Sequence, residues 1–262
     1  MHANPFDRYR DRVSPVHRLD ARLKVLLTLL FVLSCLALPD AAWRGFVLSW
    51  GLILALSMLS QLGVGYIFKR SFIVLPFALA AVTVIFHLPG RPLFRFHIGS
   101  WLFTASDVGM LRFASILVRS WLSVQFAILL VSTTPFTEII HALRHLHVPQ
   151  IMVAIVAFMY RYLFVLTDES LSLMRARDAR SARTHGGSAG GSLWWRARVA
   201  GNMAGQLFLR SYERSERIYN AMLARGYQGE FLSLHPHQVR PLDVGFAAVV
   251  LLCMLLIQWI GR

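Results

Sequence analysis

The stretch Ile151-Met152-Val153-Ala154-Ile155-Val156-Ala157-Phe158-Met159-Tyr160-Arg161-Tyr162-Leu163-Phe164-Val165-Leu166 is apolar except for Arg161. It runs, after Thr167, into the charged stretch Asp168-Glu169-Ser170-Leu171-Ser172-Leu173-Met174-Arg175-Ala176-Arg177-Asp178-Ala179-Arg180. No proline or glycine interrupts either half, and the pattern continues from Pro149 to about Arg183. A single helix of roughly 50 Å is expected at 1.5 Å per residue. Such a helix leaves an apolar environment and enters water or the groove of a partner.

The rest of the chain fits that reading. Of its 262 residues 56% are hydrophobic and only 15% charged, against about 25% charged in a soluble domain. Five runs approach the length of about 20 apolar residues that a bilayer requires: 25–38, 43–62, 72–88, 110–131 and 242–260. The arginine-rich stretch before the first is too long and too charged for a secretory signal, so the first run is read as a retained span. Between spans, 63–70 reads as a short loop, and Arg95–Phe103 as a small hairpin beyond the breakers Pro89, Gly90 and Pro92.

Lys+Arg number 27 and Asp+Glu 13, a net charge of +14. Only Lys24 and Lys69 are lysines, and neither stands in a Gly-Lys-Ser/Thr context, so no Walker-type ATP site is present in the sequence. The positive-inside rule places the N-terminus in the cytoplasm. If 151–166 does not cross fully, all thirteen arginines between Thr133 and Arg240 also stay inside. The expectation is five spans, N-in and C-out, with 151–166 re-entrant, tilted or covered by a partner.

The insert carries further helix signals. Thr134 is the expected N-cap of a helix whose first turn holds Pro135 and Glu138. The segment from His185 to Ser192 reads as a flexible linker. Beyond it, one helical block is expected from Leu193 to about Arg210 and another from Ser211 to Arg225. Glu213 and Arg217 form an i,i+4 pair within the latter, and Gly226 suits its C′ position. Ala179-Arg180-Ser181 and Ala224-Arg225-Gly226 each set an arginine after an alanine at a helix C-terminus. Macrodipole complementarity explains this at about 0.3–1 kcal/mol. The alternative, which spacing alone favours less, is an arginine presented to an acidic groove on another protein, because the planar guanidinium binds carboxylates bidentately.

Other residues are read against simpler explanations. Cys35 and Cys253 lie in apolar runs and act as small buried hydrophobes. His141, His145 and His147 include a metal-type i,i+4 spacing, but no acidic or thiol ligand accompanies them beyond Glu138. His2 is not assigned as a ligand. Arg112 and Arg119 share a face of the fourth span: Arg112 is expected to snorkel, and Arg119 to pair with a polar group or carbonyl. Asp168-Glu169 is the one acidic pair that a membrane enzyme acting on lipids would use, and no second acidic cluster accompanies it. The basic insert lacks the aromatic patterning of nucleic-acid binding, whereas attraction to anionic lipids is expected of it.

At these residues the chain resembles the transmembrane T component of energy-coupling factor (ECF) transporters, in its cobalt/nickel form, the CbiQ family. The resemblance rests on Ser14-Pro15-Val16-His17-Arg18-Leu19-Asp20-Ala21-Arg22-Leu23-Lys24, on Thr133-Thr134-Pro135-Phe136, and on Leu143-Arg144-His145-Leu146-His147-Val148-Pro149. Tyr160-Arg161-Tyr162-Leu163-Phe164 and Ala221-Met222-Leu223-Ala224-Arg225-Gly226-Tyr227 also match, and the order and spacing agree over nearly the whole chain. The first signature departs from Ala-Arg-Gly in having Ser181.

The resemblance implies an all-α integral membrane protein, L-shaped, with about five transmembrane helices and a set of long cytoplasmic coupling helices. The expected division is 1–132 membrane domain, 133–240 coupling module and 241–262 last span. It implies no enzyme activity, no metal site and no cofactor on this chain, with ATP and Mg²⁺ bound by partners. Those partners would be two ABC ATPases, docked through Ala179, Arg180, Ser181, Ala224, Arg225 and Gly226. A substrate-binding S subunit would contact Thr134, Pro135, Phe136, Tyr160, Arg161 and Phe164. The implied role is energy coupling in the import of cobalt or nickel across the cell (inner) membrane. The alternatives are a vitamin importer's T subunit or a lipid-modifying membrane enzyme.

Overall fold

The computed structural model describes residues 9–87, 92–98, 101–146, 148–180, 192–229 and 240–262. Contacts divide the chain into two compact units, Met1–Leu146 with His235–Arg262, and His147–Leu234.

The first unit begins with a short helix α1 (Pro15–Arg18) capped by Ser14, then α2 (Ala21–Ala37) capped by Asp20, whose carboxylate accepts the Arg22 N–H at 2.9 Å. Helix α3 spans Trp43–Leu59. The stretch 63–70 is not a loop. Gly63, at φ 82°, starts a helix α4 (Val64–Ser71) that buries Ile67 and Ser71. Trp121 donates its indole N–H to Ser71 Oγ at 2.6 Å, so long-range packing holds a segment that looks polar in isolation. Helix α4 continues through a 3₁₀ turn (Phe72–Val74) into α5 (Leu75–Ala81) and α6 (Thr83–His87). Pro76 causes the irregularity: it has no N–H for the Phe72 carbonyl, and the Leu75 N–H takes that carbonyl instead.

A two-stranded antiparallel hairpin follows, β1 (Pro92–Ile98) with β2 (Trp101–Ser106), pairing Ile98 with Trp101 and Phe96 with Phe103. The hairpin expected from the sequence is there, beside an otherwise helical architecture. Ser106 caps α7 (Asp107–Thr133), accepting the Gly109 N–H at 3.0 Å. Helices α8 (Phe136–His145) and α11 (Pro241–Ile260) complete the unit.

Its core draws Leu27, Phe31 and Cys35 from α2, Phe46 and Ile53 from α3, Leu122, Phe126 and Leu129 from α7, and Val250 and Met254 from α11. Phe31 and Phe126 stack with centroids 4.3 Å apart. Small residues let the backbones approach, as in membrane bundles generally. A Cβ on Gly261 would lie 2.4 Å from Leu38 Cδ2, and one on Gly109 would lie 2.6 Å from the Ile85 carbonyl oxygen. Leucines such as Leu33, Leu36, Leu252 and Leu255 face outward, as a lipid-facing surface requires. By length and apolar character α7, α11, the α4–α6 run (Val64–Ile85) and helix α9 (Gln150–Arg180) qualify as membrane spans, and α3 is a shorter apolar helix. The chain is a multi-pass, all-α membrane protein.

Two charges inside this unit find partners at long range. Arg119 donates to the Leu38 carbonyl at 2.6 Å and to Asp40 at 2.8 Å. Arg112 reaches the other Asp40 oxygen at 3.7 Å. Cys35 is buried, and both cysteines are free.

The second unit is a helix pair. The unbroken α9 has 31 residues, about 46 Å. Helix α10 (Leu193–Ala224) has 32 residues and is likewise continuous, so the expected break at Arg210–Ser211 does not occur. No residue there breaks a helix, and Ser211 Oγ turns back to donate to the Phe208 carbonyl at 2.7 Å.

Candidate functional site

Glu169, midway along α9, accepts Arg210 Nη1 at 2.5 Å on one carboxylate oxygen and lies 3.7 Å from Arg214 on the other. The pairing ties the two helices near their middles, and the residues shared at each end, Arg180 with Trp195 and Arg161 with Arg225, make them antiparallel. It also engages the better placed acid of the Asp168-Glu169 pair. The expected Glu213–Arg217 pair is not among the ion pairs of the described residues.

Antiparallel pairing sends the two signature arginines to opposite ends of the hairpin. Arg180, the last residue of α9, lines a groove of about 340 Å³ with Arg177 and with Trp195, Arg196 and Val199 from the start of α10. Arg225 lines a second groove, of about 890 Å³, with Phe158, Arg161 and Tyr162 from the first half of α9. From Arg161 to Arg180 the α9 axis covers roughly 28 Å, which sets the spacing of the two ends. Ala179, Arg180, Ala224, Arg225 and Gly226 are all exposed. Ser181 lies outside the described residues, as do His147, His2, the rest of the expected linker before Ser192, and the end of the long helix near Arg183.

The Arg225 end has a defined cap. Gly226, at φ 79°, donates to the Leu223 carbonyl at 2.9 Å, and the Tyr227 N–H reaches the Met222 carbonyl at 3.0 Å. This is a Schellman motif, with glycine where its left-handed conformation costs no Cβ clash. It holds Arg225 at the helix tip.

Of the residues the resemblance assigned to a second surface, Tyr160, Arg161 and Phe164 lie on α9, and the Tyr160 and Phe164 rings meet edge-on at 5.1 Å. Thr134, Pro135 and Phe136 lie in the first unit at the α7–α8 junction. Thr134 is not the cap of α8. The helix begins at Phe136 with Pro135 at the N-cap, and Thr134 Oγ1 is buried without a hydrogen-bond partner among the described residues. Pro135 supplies its carbonyl to the Glu138 and Ile139 N–H groups.

Next to this junction lies a residue to which the sequence assigned no structural role. Lys24, 6% exposed, donates to the carbonyls of His17 at 3.1 Å and Thr133 at 3.2 Å. His17 Nε2 meets the Arg10 carbonyl at 3.0 Å and its Nδ1 meets Ser14 Oγ at 2.7 Å. A carbonyl only accepts, so Nε2 carries the proton, and the neutral ring accepts from Ser14 at Nδ1. Burial pushes the His17 pKa below 6.5, the nearby Lys24 charge adds to this, and the Arg10 contact opposes it. The sequence signals for this cluster were a lysine at the start of an apolar run and membership of the Ser14–Lys24 stretch that carries the resemblance.

His141 and His145 stack with centroids 6.4 Å apart. Among the described residues no group of three or more His, Cys, Asp or Glu is placed to hold a metal ion.

The fold defines a multi-pass helical membrane protein that also carries a two-helix unit with an exposed arginine at each end. The chain belongs to the CbiQ family of cobalt transport proteins, which matches residues 12–237. It is similar to the energy-coupling factor transporter transmembrane protein EcfT of Thermanaerovibrio acidaminovorans, 30% identical over 82% of this chain and 80% of that one. It is also similar to the cobalt transport protein CbiQ of Salmonella typhimurium, at 26% over 57% of this chain and 65% of that one. The nickel permease LarQ of Lactiplantibacillus plantarum is 29% identical over 55% of this chain and 54% of that one. The family is one of transporter membrane components rather than enzymes.

Proposed function

We propose that this chain is the T subunit of an ECF-type importer for cobalt or nickel ions. It joins two cytoplasmic ABC ATPases to a substrate-binding S subunit and passes their motion to it. The N-terminus and the coupling module face the cytoplasm, and the protein resides in the cell (inner) membrane among anionic lipids. ATP and Mg²⁺ are bound by the ATPases, and the metal ion is cargo of the S subunit.

The observation that carries this reading is the placement of Arg180 and Arg225, both exposed, at opposite ends of one helix pair. Each end supplies one ATPase with a guanidinium. Closing of the ATPase dimer then displaces both ends together. An unbroken 31-residue α9, tied to α10 through Glu169, carries the displacement to its apolar half, where Tyr160, Arg161 and Phe164 meet the S subunit. Purification of the tagged chain from its native membrane tests the proposal. An ATPase pair and a small S subunit in stoichiometric amounts are expected. A chain that purifies alone contradicts it.

A further inference from the structure

The first turn of α10 is built against the usual preferences of a helix N-terminus. Ser192 is the N-cap, its Oγ accepting the Trp195 N–H at 3.3 Å. A capping box would place Glu or Gln at the third helical position, and the macrodipole favours acids throughout the first turn. Here that turn has no acid and reads Leu193-Trp194-Trp195, followed by Arg196. Leu193 is 84%, Trp194 80% and Trp195 47% exposed. Propensity accounts for Leu193 and Arg196, but neither capping nor the macrodipole accounts for the two exposed tryptophans or for a cation in the first turn.

Their position does. Trp195 and Arg196 line the same groove as Arg177 and Arg180 of α9. Three guanidiniums and an indole converge there, and the carboxylate paired with Arg177 is that of Asp178, at 3.7 Å. Tryptophan and arginine are the residue types that dominate binding hot spots.

We infer that Trp195 and Arg196 complete the docking surface that Arg180 begins, and that its occupant is an acidic groove with an apolar floor on an ABC ATPase subunit. Arg196 adds a third guanidinium to those of Arg177 and Arg180, and Trp195 fills the apolar part of that groove. This rests on the docking role proposed above for Arg180 and Arg225, and adds to it that one end of the hairpin is contributed by both helices.

The test is a titration of a purified cognate ABC ATPase subunit against the full-length, detergent-solubilised chain carrying Trp195→Glu, Arg196→Glu or Arg180→Glu. Trp195→Glu completes the capping box with Ser192, so α10 keeps or gains amide protection and a binding loss cannot be ascribed to unfolding. Both α10 variants are expected to weaken ATPase binding at least about tenfold. Wild-type binding by both, beside a loss in Arg180→Glu, overturns this inference and leaves the docking role standing. Unchanged binding by Arg180→Glu as well removes the docking role of Arg180. If Trp195→Glu keeps ATPase binding but loses affinity for phosphatidylglycerol vesicles, the turn is a lipid anchor and the inference is wrong.

Discussion

The Lys24 ammonium donates to the Thr133 carbonyl across 109 residues of sequence. Thr133 closes α7, where helix carbonyls lack intrahelical donors and carry the negative end of the dipole. The same ammonium holds the His17 carbonyl. Lys24→Met keeps the apolar stem and leaves both carbonyls without this donor. A loss of about 1–3 kcal/mol is expected, read as a lower thermal midpoint in detergent.

Asp40 serves two arginines unequally. The Arg119 side chain is 17% exposed and bonds a carbonyl as well, while that of Arg112 is 53% exposed at 3.7 Å. Arg112→Gln is expected to change stability by no more than about 1 kcal/mol. Arg119→Gln is expected to cost about 1–3 kcal/mol, because the Leu38 carbonyl loses a charged donor. Denaturation midpoints of the two variants give the comparison.

Two helical glycines should respond oppositely to alanine. A Cβ at Gly109 meets the Ile85 backbone and Ser106 Oγ within 3.0 Å, whereas nothing lies within 4 Å of one at Gly205. Gly109→Ala is expected to destabilise by about 1–3 kcal/mol through overpacking. Gly205→Ala should stabilise α10 by about 0.4–1 kcal/mol, seen as slower amide exchange.

His17 gives the N-terminal segment a pH dependence. Its folded pKa lies below the ordinary 6.5, so the unfolded chain takes up the proton first as pH falls. The stability held by the neutral ring is complete above pH 6.5. It is lost as pH drops from there toward the lowered folded value. Unfolding midpoints measured between pH 8 and 5 should show this decline, and His17→Asn should reduce it.

What the sequence showed was what local pattern encodes. The runs 72–88, 110–131 and 242–260 marked helices long and apolar enough to span, whereas 25–38 falls on the shorter α2 and α9 reaches span length against expectation. Gly226 marked the end of α10, and Arg119 signalled a need for a carbonyl or polar partner. What it hid was set by distant contacts. The segment 63–70 is helical because Trp121 and the core hold Ile67 and Ser71. Helix α10 runs on past Arg210, which is held by Glu169, 41 residues away. Thr134 looked like a cap because only local pattern was visible; the chain instead buries its hydroxyl. The arginine tips were visible as motifs, but their placement at opposite ends of one hairpin came only with the antiparallel pairing.

The central claim is that Arg180 and Arg225 link this subunit to its ATPases. Uptake of radioactive cobalt or nickel by cells expressing the complete transporter, with the Arg180→Glu, Arg225→Glu double variant in place of the parent chain, tests it most directly. Loss of uptake, with the variant present in the membrane at the parent level, is predicted. Uptake at the parent rate contradicts the account.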